Sequence, residues 1–211
     1  MQETHEGEAN FAVASEDQAR ADFYALLARL YAAAPDAALL SSISACDELS
    51  ADAASEGGRA LADAWRKLIA ASTAMDPAAA ADEYQNLFIG VGKSEVSVHG
   101  SAYVKSPGTT PLIEVRASLA KLGLARQSGV NMYEDHLATV CETMRTLITG
   151  AGQGEPFAFV EQREFFESHV KPWVFNCCTA IQKSPVANYY YRVAEFTQVF
   201  MAIERDSFAI E

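Results

Sequence analysis

The sequence predicts an all-α protein, a single helical bundle of about nine to twelve helices with one long central loop. Apolar residues recur at helical spacing along nearly the whole chain, and no two runs show the paired alternation of β-strands. Capping residues or prolines stand before several of these runs, and glycines follow several others. Half of the 211 residues are hydrophobic, which is enough for one sizeable core.

The first predicted helix begins at residue 15. We expect residues 1–14 to form a flexible tail and residues 15–211 to form a single domain. The first apolar stripe comprises Phe23, Leu26, Leu27, Leu30 and Tyr31, and residues 61–69 repeat the pattern. Asp76 and Pro77 are typical of a helix start, and that helix should end at Gly90.

Helical periodicity disappears between residues 90 and 111, which predicts the long central loop. Helices are then predicted over about residues 111–122 and 134–149 from their apolar faces. Three more are expected in the last third of the chain, over about 159–166 and 174–181 and from a start at Ser184 and Pro185.

The chain is acidic, with 28 Asp and Glu against 16 Lys and Arg and a formal net charge of −12. Phosphate backbones and anionic lipids repel such a chain, so nucleic-acid and membrane-surface binding are disfavoured and a cationic partner is favoured. No basic, apolar signal peptide and no run of about 18 apolar residues is present. We therefore expect a cytoplasmic protein without stable membrane insertion.

The sequence offers no recognisable catalytic or metal site. His99, His136 and His169 are not preceded by glutamate at the third position, which excludes the Glu-x-x-His pairs of di-iron bundles. A His-Glu-x-x-His motif is also absent, as is any familiar motif around a serine or cysteine nucleophile. We predict that the protein is not an enzyme and holds no metal.

The alternative to a non-enzyme is a nucleotide-binding hydrolase that uses the turn from Gly90 to Ser94. Gly92-Lys93-Ser94 resembles the end of a P-loop, but Leu87 stands where that motif needs its first glycine. Alternatively, residues 90–94 form only an exposed turn made by glycines, with no role in nucleotide binding.

Glu134, Asp135 and His136 form the most notable polar cluster, at a predicted helix start. Acidic residues there could simply match the helix dipole, or they could form a binding site. Aromatic and apolar residues at helical spacing are mostly expected in the core, and some could line a groove for an apolar peptide segment. They are Tyr84, Leu87, Phe88, Phe157, Phe159, Phe165, Phe166, Trp173, Phe196 and Phe200.

Three blocks in order resemble motifs of the TorD/DmsD family of molybdoenzyme maturation chaperones. The first contains Tyr84, Leu87, Phe88 and Gly90, similar to Y-x-x-L-F-x-G, and is followed by Ser101-Ala102-Tyr103, similar to S-x-Y in the family's long loop. The second is Tyr133-Glu134-Asp135-His136-Leu137, which is similar to P-x-D-H before an apolar residue, although Tyr133 replaces the proline. The third, residues 165–173, ends in Pro172-Trp173 and resembles F-x-x-x-H-(apolar)-x-P-W.

The resemblance implies an all-helical cytoplasmic chaperone without catalytic activity. Such proteins bind a molybdopterin-containing oxidoreductase catalytic subunit, many through its twin-arginine signal peptide, before cofactor insertion and export. No resident cofactor is implied, although weak guanine nucleotide binding has been suggested for some members, and both monomers and homodimers occur.

The family's binding residues match Asp135 and His136, and we expect Glu134, Tyr133, Ser101 and Tyr103 to join them in a peptide-binding site. Carboxylates there would bind the arginines, and a nearby apolar groove would take the hydrophobic segment as a helix. His136 is expected to titrate near neutral pH and so to tune the site. Tyr84, Leu87, Phe88, Gly90, Pro172 and Trp173 are assigned to the structural motif.

Overall fold

The computed structural model describes residues 15–50, 55–90, 92–105, 108–125 and 131–210. The expected tail at residues 1–14 lies outside the described residues. The α-helices, in chain order, are α1 (Ser15–Ala32), α2 (Ala37–Ser44), α3 (Glu56–Ala74), α4 (Pro77–Tyr84), α5 (Pro111–Lys121), α6 (Leu137–Thr149), α7 (Phe159–Phe165), α8 (Lys171–Lys183) and α9 (Tyr189–Ile210).

The all-α prediction is confirmed, since the structure is 72% helical and its described part contains no strand. A π-helical turn at Gln85–Ile89 extends α4, and another at Phe166–Val170 joins α7 to α8 without a break. Counted as continuous rods, the described residues form eight helices, slightly fewer than expected. In the described part of the central loop, the one helical element is a short 3-10 turn at Gly100–Ala102.

Helix α9 lies at the centre of the aromatic core. It packs against α3 and α8, and its Phe196 and Phe200 rings make edge contacts with Phe23 of α1 at centroid distances of 5.2 and 5.5 Å. Trp65 of α3 completes this cluster, 5.3 Å from Phe196. Edge-to-face packing of this kind favours aromatic pairs beyond the area they bury, so the cluster fixes α1 and α3 on α9.

A buried ion pair also joins the first helix to the last. The guanidinium of Arg20 donates from Nε and Nη2 to both carboxylate oxygens of Glu204, at 2.8 and 2.9 Å. The buried Tyr24 hydroxyl donates to the same carboxylate at 3.0 Å. Because the pair is bidentate and further hydrogen-bonded, the buried charge of Glu204 is well compensated.

The most extensive helix pairing is between α1 and α6. Both helices present small buried residues to each other, among them Ala28 and Ala138. Small side chains let two helix backbones approach closely. Residues of both helices also line a groove at the surface.

The predicted start of the last helix at Ser184 and Pro185 is wrong, because α9 begins at Tyr189. Its first amide groups are capped by Glu83 of α4, whose carboxylate accepts hydrogen bonds from the backbone of residues 188, 189 and 190 at 2.8, 3.0 and 2.7 Å. A negative charge at a helix N-terminus satisfies orphan N–H groups and opposes the helix dipole. The cap comes from more than 100 residues away, so no local pattern could indicate it.

The two helices predicted over residues 159–166 and 174–181 are not separate. They form one rod from Phe159 to Lys183, because a π-helical turn, Phe166–Val170, accommodates Pro172 at the start of α8. The indole Nε1 of Trp173 donates to the carbonyl of His169 within this turn at 2.7 Å. A side chain thus supports the irregular backbone there, and π-helical turns are frequent near functional sites.

We predict that Glu83→Ala lowers the free energy of unfolding by about 3 kcal/mol, because three amide groups lose a charged acceptor. Urea unfolding followed by circular dichroism measures this change. Asp82→Ala, at the exposed neighbouring position, is the matched control and should change stability by no more than about 0.5 kcal/mol. Equal stabilities for the two variants would contradict the role of Glu83.

Candidate functional site

The central loop, of which residues 92–105 are described continuously, is attached to the start of α6 by backbone hydrogen bonds. Leu137 N donates to Val98 O at 2.8 Å, and Gly100 N donates to the carbonyl of Asp135 at 2.9 Å. His99 and His136 thereby form an isolated antiparallel bridge. These two bonds engage the carbonyl of Asp135 and the N–H of Leu137, the backbone groups on either side of His136. Helix α6 therefore begins at Leu137 and not at the predicted residue 134.

The Asp135 carboxylate holds the central loop from inside the protein. Its Oδ2 accepts hydrogen bonds from the backbone N–H and the hydroxyl of Ser101 at 3.0 and 2.5 Å, and its Oδ1 lies 3.3 Å from His99 Nδ1. Only 3% of Asp135 is exposed. Burial opposes ionisation, but the hydrogen bonds from His99 and Ser101 outweigh it and lower the pKa of Asp135 to about 2.

His136 is the N-cap of α6. Its Nδ1 accepts a hydrogen bond from Ala138 N at 3.1 Å, so the ring carries its proton on Nε2 when neutral. Burial, together with the electrostatic effect of the neighbouring His99, lowers the pKa of His136 to about 4, although Asp135 acts in the opposite direction. The expectation that His136 titrates near neutral pH is therefore wrong, because a largely buried imidazole that caps a helix is stable only when neutral.

Tyr103 joins the central loop to the third sequence block. Its ring stacks on Trp173 with centroids 6.0 Å apart and an interplanar angle of 16°, and its hydroxyl donates to Ser97 O at 2.7 Å. Gly100 lies so close to the indole that an added Cβ would stand 3.0 Å from Trp173 Nε1. The Ser101–Tyr103 segment and the Pro172-Trp173 pair therefore form one interlocked unit.

The first sequence block closes the turn that leads into this loop. Leu87 and Phe88 are buried, and the hydroxyl of half-buried Tyr84 donates to Tyr31 O at 3.1 Å. Gly90 has φ of +66°, and a Cβ there would lie 2.2 Å from Lys93 O, so only glycine fits. A π-helical turn precedes Gly90 and no helix starts in residues 92–99, so the described part of the turn lacks the strand and helix of a P-loop.

A groove of about 660 Å³ runs along the outer side of the α1–α6 seam. Small side chains of both helices form its floor, and one side is lined by residues at and just after the end of α5 and by Met132 and Glu134 before α6. Two acidic residues, Glu134 and Glu142, and one basic residue, Arg29, also line it. Glu142 is paired with Arg145 one turn further along α6. The groove is lined by Ala28, Arg29, Ala32, Leu119, Gly123, Leu124, Ala125, Met132, Glu134, Ala138, Thr139, Glu142, Thr143, Thr146, Ala151, Gly152 and Gln153. We call it the α1–α6 groove.

A smaller cavity of about 360 Å³ adjoins the groove, since Ala32 and Met132 line both. His136 lines this smaller cavity together with aromatic residues and the start of the central loop. Two apolar side chains at it are largely exposed, Tyr133 at 55% and Ile89 at 51%. Exposed apolar groups beside a cavity are typical of an interaction surface.

Glu134 contributes a charge to the α1–α6 groove and is paired within the protein. Nε and Nη2 of Arg116 on α5 both lie 3.0 Å from Glu134 Oε2. The Glu134 side chain is only 10% exposed, whereas that of Arg116 is 48% exposed. The Glu134 carboxylate is thus nearly buried at the side of the groove, and the Arg116 guanidinium contacts it from the more exposed side.

The structure separates the predicted peptide-binding residues into two groups. Tyr133, Glu134 and His136 line the two cavities, but Asp135, Ser101 and Tyr103 hold the central loop and line neither. The aromatic residues proposed for a groove lie mainly in the core, and only Tyr84 and Phe88 reach the smaller cavity. The α1–α6 groove instead has a floor of small residues. This floor was not predicted from the sequence, although Ala138, Glu142 and Thr146 recur at four-residue spacing.

Two further properties bear on the function. None of the described helices has both the length and the apolar composition that a membrane crossing requires. Within the described ranges, no three His, Cys, Asp or Glu side chains are grouped so that they could hold a metal ion.

Comparison with protein families gives one match. The family model for the nitrate reductase delta subunit matches residues 51–179, which is more than half of the chain. The matched range contains all three sequence blocks described above, the central loop and the whole of α6. The comparison with curated proteins gives no match.

We predict that Asp135→Asn lowers the free energy of unfolding by about 2 kcal/mol, because an amide cannot replace both carboxylate oxygens toward His99 and Ser101. Hydrogen exchange should also become faster at the amides of the central loop, since these lose their attachment to α6. Thermal unfolding and exchange mass spectrometry measure the two effects. An unchanged exchange rate at Ser101 would show that the carboxylate does not hold the loop.

We expect stability to fall as the pH is lowered from about 6.5 to 4. Burial lowers the pKa of both His136 and His169 to about 4, while an unfolded histidine has a pKa near 6.5. The unfolded state therefore binds more protons in this window, which costs roughly 2–3 kcal/mol of stability per histidine. His136→Asn keeps a capping acceptor and should reduce the slope by about half. Identical slopes for the variant and the parent, measured by urea unfolding at several pH values, would contradict the assignment.

Proposed function

The chain belongs to the nitrate reductase delta subunit family, a family of molybdoenzyme maturation chaperones, and we propose that it holds its client through the client's twin-arginine signal peptide. The peptide's hydrophobic segment would bind in the α1–α6 groove as a helix, with its arginines toward Glu134 and Glu142. The family match confirms the kind of chaperone that the three sequence blocks indicate, with a molybdoenzyme catalytic subunit as partner.

The shape of the α1–α6 groove supports this proposal. Its volume of about 660 Å³ lies within the range of roughly 300–1,000 Å³ that is common for ligand sites. Ala28, Ala32 and Ala138 keep the floor low, so a guest helix could approach the backbones of α1 and α6. Leu119, Leu124 and Met132 offer an apolar wall, which suits the apolar face of a helix in a groove.

The charge distribution supports the same occupant. A net charge of −12 attracts a cationic leader over long distances and raises its rate of association. At the groove, carboxylates are the natural partners of guanidinium groups, because charge-assisted hydrogen bonds to arginine are strong and directional. An apolar floor with carboxylates beside it therefore matches a leader in which two arginines precede a hydrophobic stretch.

This binding mode would act by occupancy and requires no chemical step. A leader that lies in the groove is inaccessible to an export machinery until it is released, which leaves time for cofactor insertion into the attached subunit. The protein would carry out this role in the cytoplasm, as a monomer or a homodimer. The single observation that carries the proposal is the α1–α6 groove, whose lining combines small and apolar side chains with the carboxylates of Glu134 and Glu142.

The direct test is calorimetric titration with a synthetic twin-arginine leader of a molybdoenzyme catalytic subunit. A peptide with both arginines replaced by glutamine is its matched control. We expect the arginine peptide to bind at least tenfold more tightly than the glutamine peptide, because the control loses its charge-assisted hydrogen bonds. Failure to bind any leader or any full-length apo-subunit would overturn the proposal.

Blocking the groove provides a second test. Thr139 is half-buried and lines the groove, so Thr139→Trp should fill it and weaken leader binding about tenfold or more. Thr179→Trp makes the same change at a half-buried position of α8 outside the groove, and it should leave the affinity unchanged. Equal affinities for two correctly folded variants would show that the leader binds elsewhere.

A further inference from the structure

Three charged side chains of the described chain line the α1–α6 groove, and two of them are paired within the protein. Glu134 lies 3.0 Å from Arg116, and Glu142 accepts hydrogen bonds from Arg145. The third is Arg29 on α1, which is exposed and has no hydrogen-bond or ion-pair partner among the described residues. Arg29 is thus a charged group of the groove whose five N–H donors are all unused.

We propose that Arg29 binds a carboxylate of the client's leader, so that the α1–α6 groove favours leaders with an acidic side chain on the face that lies in it. The guanidinium donates hydrogen bonds to both oxygens of an aspartate or glutamate of the leader. This inference rests on the proposed function and deepens it, since it assigns a residue that selects among twin-arginine leaders.

Arg29 lies on the stretch of α1 that forms the floor of the groove. Ala28 precedes it directly, Ala32 follows one turn later, and all three residues line the groove. Ala32 also borders the smaller cavity, so Arg29 stands one helical turn, about 5 Å along α1, from the junction of the two cavities. A guest helix that fills the groove therefore passes over Arg29, and the small neighbours leave room for a carboxylate beside the guanidinium.

The threonines of α6 also indicate a guest with polar groups on its buried face. In the described helices most threonine hydroxyls donate to the carbonyl four residues earlier, as those of Thr143 and Thr149 do at 2.9 Å. Thr139 and Thr146 are exceptions, because their hydroxyls have no hydrogen-bond partner within the described ranges. Both line the α1–α6 groove, which thus combines an unpaired guanidinium with two unpaired hydroxyls.

A purely apolar guest would bury these donors without giving them acceptors. A donor that is removed from water and gains no acceptor lowers the affinity. In the middle of a guest helix the backbone N–H and C=O groups are already bonded to one another, so side chains must supply the acceptors. A carboxylate suits a guanidinium best, because the two charged groups engage each other through two parallel hydrogen bonds.

A purely structural role of Arg29 makes a different prediction. Arg29 stands in the last turn of α1, where a positive charge interacts favourably with the helix dipole. That interaction contributes to stability, leaves the guanidinium donors unused and does not depend on what lies in the groove. A role in selection instead makes the affinity depend on the charge at one position of the leader, which is how specificity arises from a difference of affinities.

The test is a glutamate scan of the leader, measured by calorimetry. A synthetic twin-arginine leader of a molybdoenzyme catalytic subunit carries a single glutamate at each position of its hydrophobic segment and of the stretch that follows, and a second series carries glutamine at the same positions. At one position, or at positions three or four apart on one helix face, the parent should bind the glutamate peptide about three- to tenfold more tightly than its glutamine counterpart. In Arg29→Gln this preference should disappear.

The matched control is Arg163→Gln. Arg163 on α7 does not line the groove, and it too has no hydrogen-bond or ion-pair partner in the part of the chain that the structure describes. This variant changes the net charge by the same amount as Arg29→Gln and should keep the full preference for glutamate. An equal loss in both variants would show that the overall charge sets the preference and would overturn the inference.

Charge reversal gives a second readout, which a purely structural role would not change. Arg29→Glu should bind a leader with lysine at the position found in the scan more tightly than the leader with glutamate there, whereas the parent should show the opposite order. Because Arg29 is exposed, both variants at this position should remain folded, which circular dichroism checks. A preference for glutamate that persists in Arg29→Glu would show that the carboxylate binds another group.

The outcomes separate the two proposals. If the parent binds the unmodified leader but prefers glutamate at no position of the scan, Arg29 does not select leaders and the proposed function stands. If the parent shows the preference and Arg29→Gln retains it, the carboxylate binds elsewhere and this inference is refuted, again without effect on the proposed function. If the parent binds no leader of either series, the proposed function itself fails, and this inference fails with it.

Discussion

The buried Asp135 carboxylate is the interaction on which the site depends. It accepts hydrogen bonds from the Ser101 backbone and hydroxyl and contacts His99, so one side chain attaches the central loop to the start of α6. The attached loop in turn places Tyr103 against Trp173 and leaves His136 to cap α6. A buried charge is stable only when it is fully hydrogen-bonded, and this requirement joins residues that are distant in the chain.

This arrangement gives the two neighbouring acids opposite roles. Asp135 points into the protein and organises the loop, whereas Glu134 lines the α1–α6 groove and is paired with a half-exposed arginine. Successive residues before a helix point in different directions, so one can serve the fold while the next serves a partner. The binding site that we propose is therefore the α1–α6 groove, whereas Asp135 and the loop motif hold the central loop on α6.

Much of the fold follows from local patterns. The apolar stripe of α1 and the Asp76-Pro77 start of α4 predict helices that the structure contains, and Gly90 ends its helix as expected. The errors arose where a distant group replaced a local one. Glu83 caps α9 in place of Ser184, and the π-helical turn before Pro172 fuses two predicted helices into one rod. Neither the Glu83 cap nor the π-helical turn can be predicted from the spacing of apolar residues.

The helical class, the strong negative charge and the three blocks that indicate a molybdoenzyme maturation chaperone all follow from the amino-acid sequence. These properties reside in composition, periodicity and short motifs, which need no knowledge of distant contacts. Tertiary packing adds what these patterns do not contain: Asp135 is enclosed, whereas Glu134 lines a groove and pairs with Arg116. The direction in which a carboxylate points depends on which backbone and side-chain donors packing brings beside it, and that is settled only when the central loop, α5 and α6 come together.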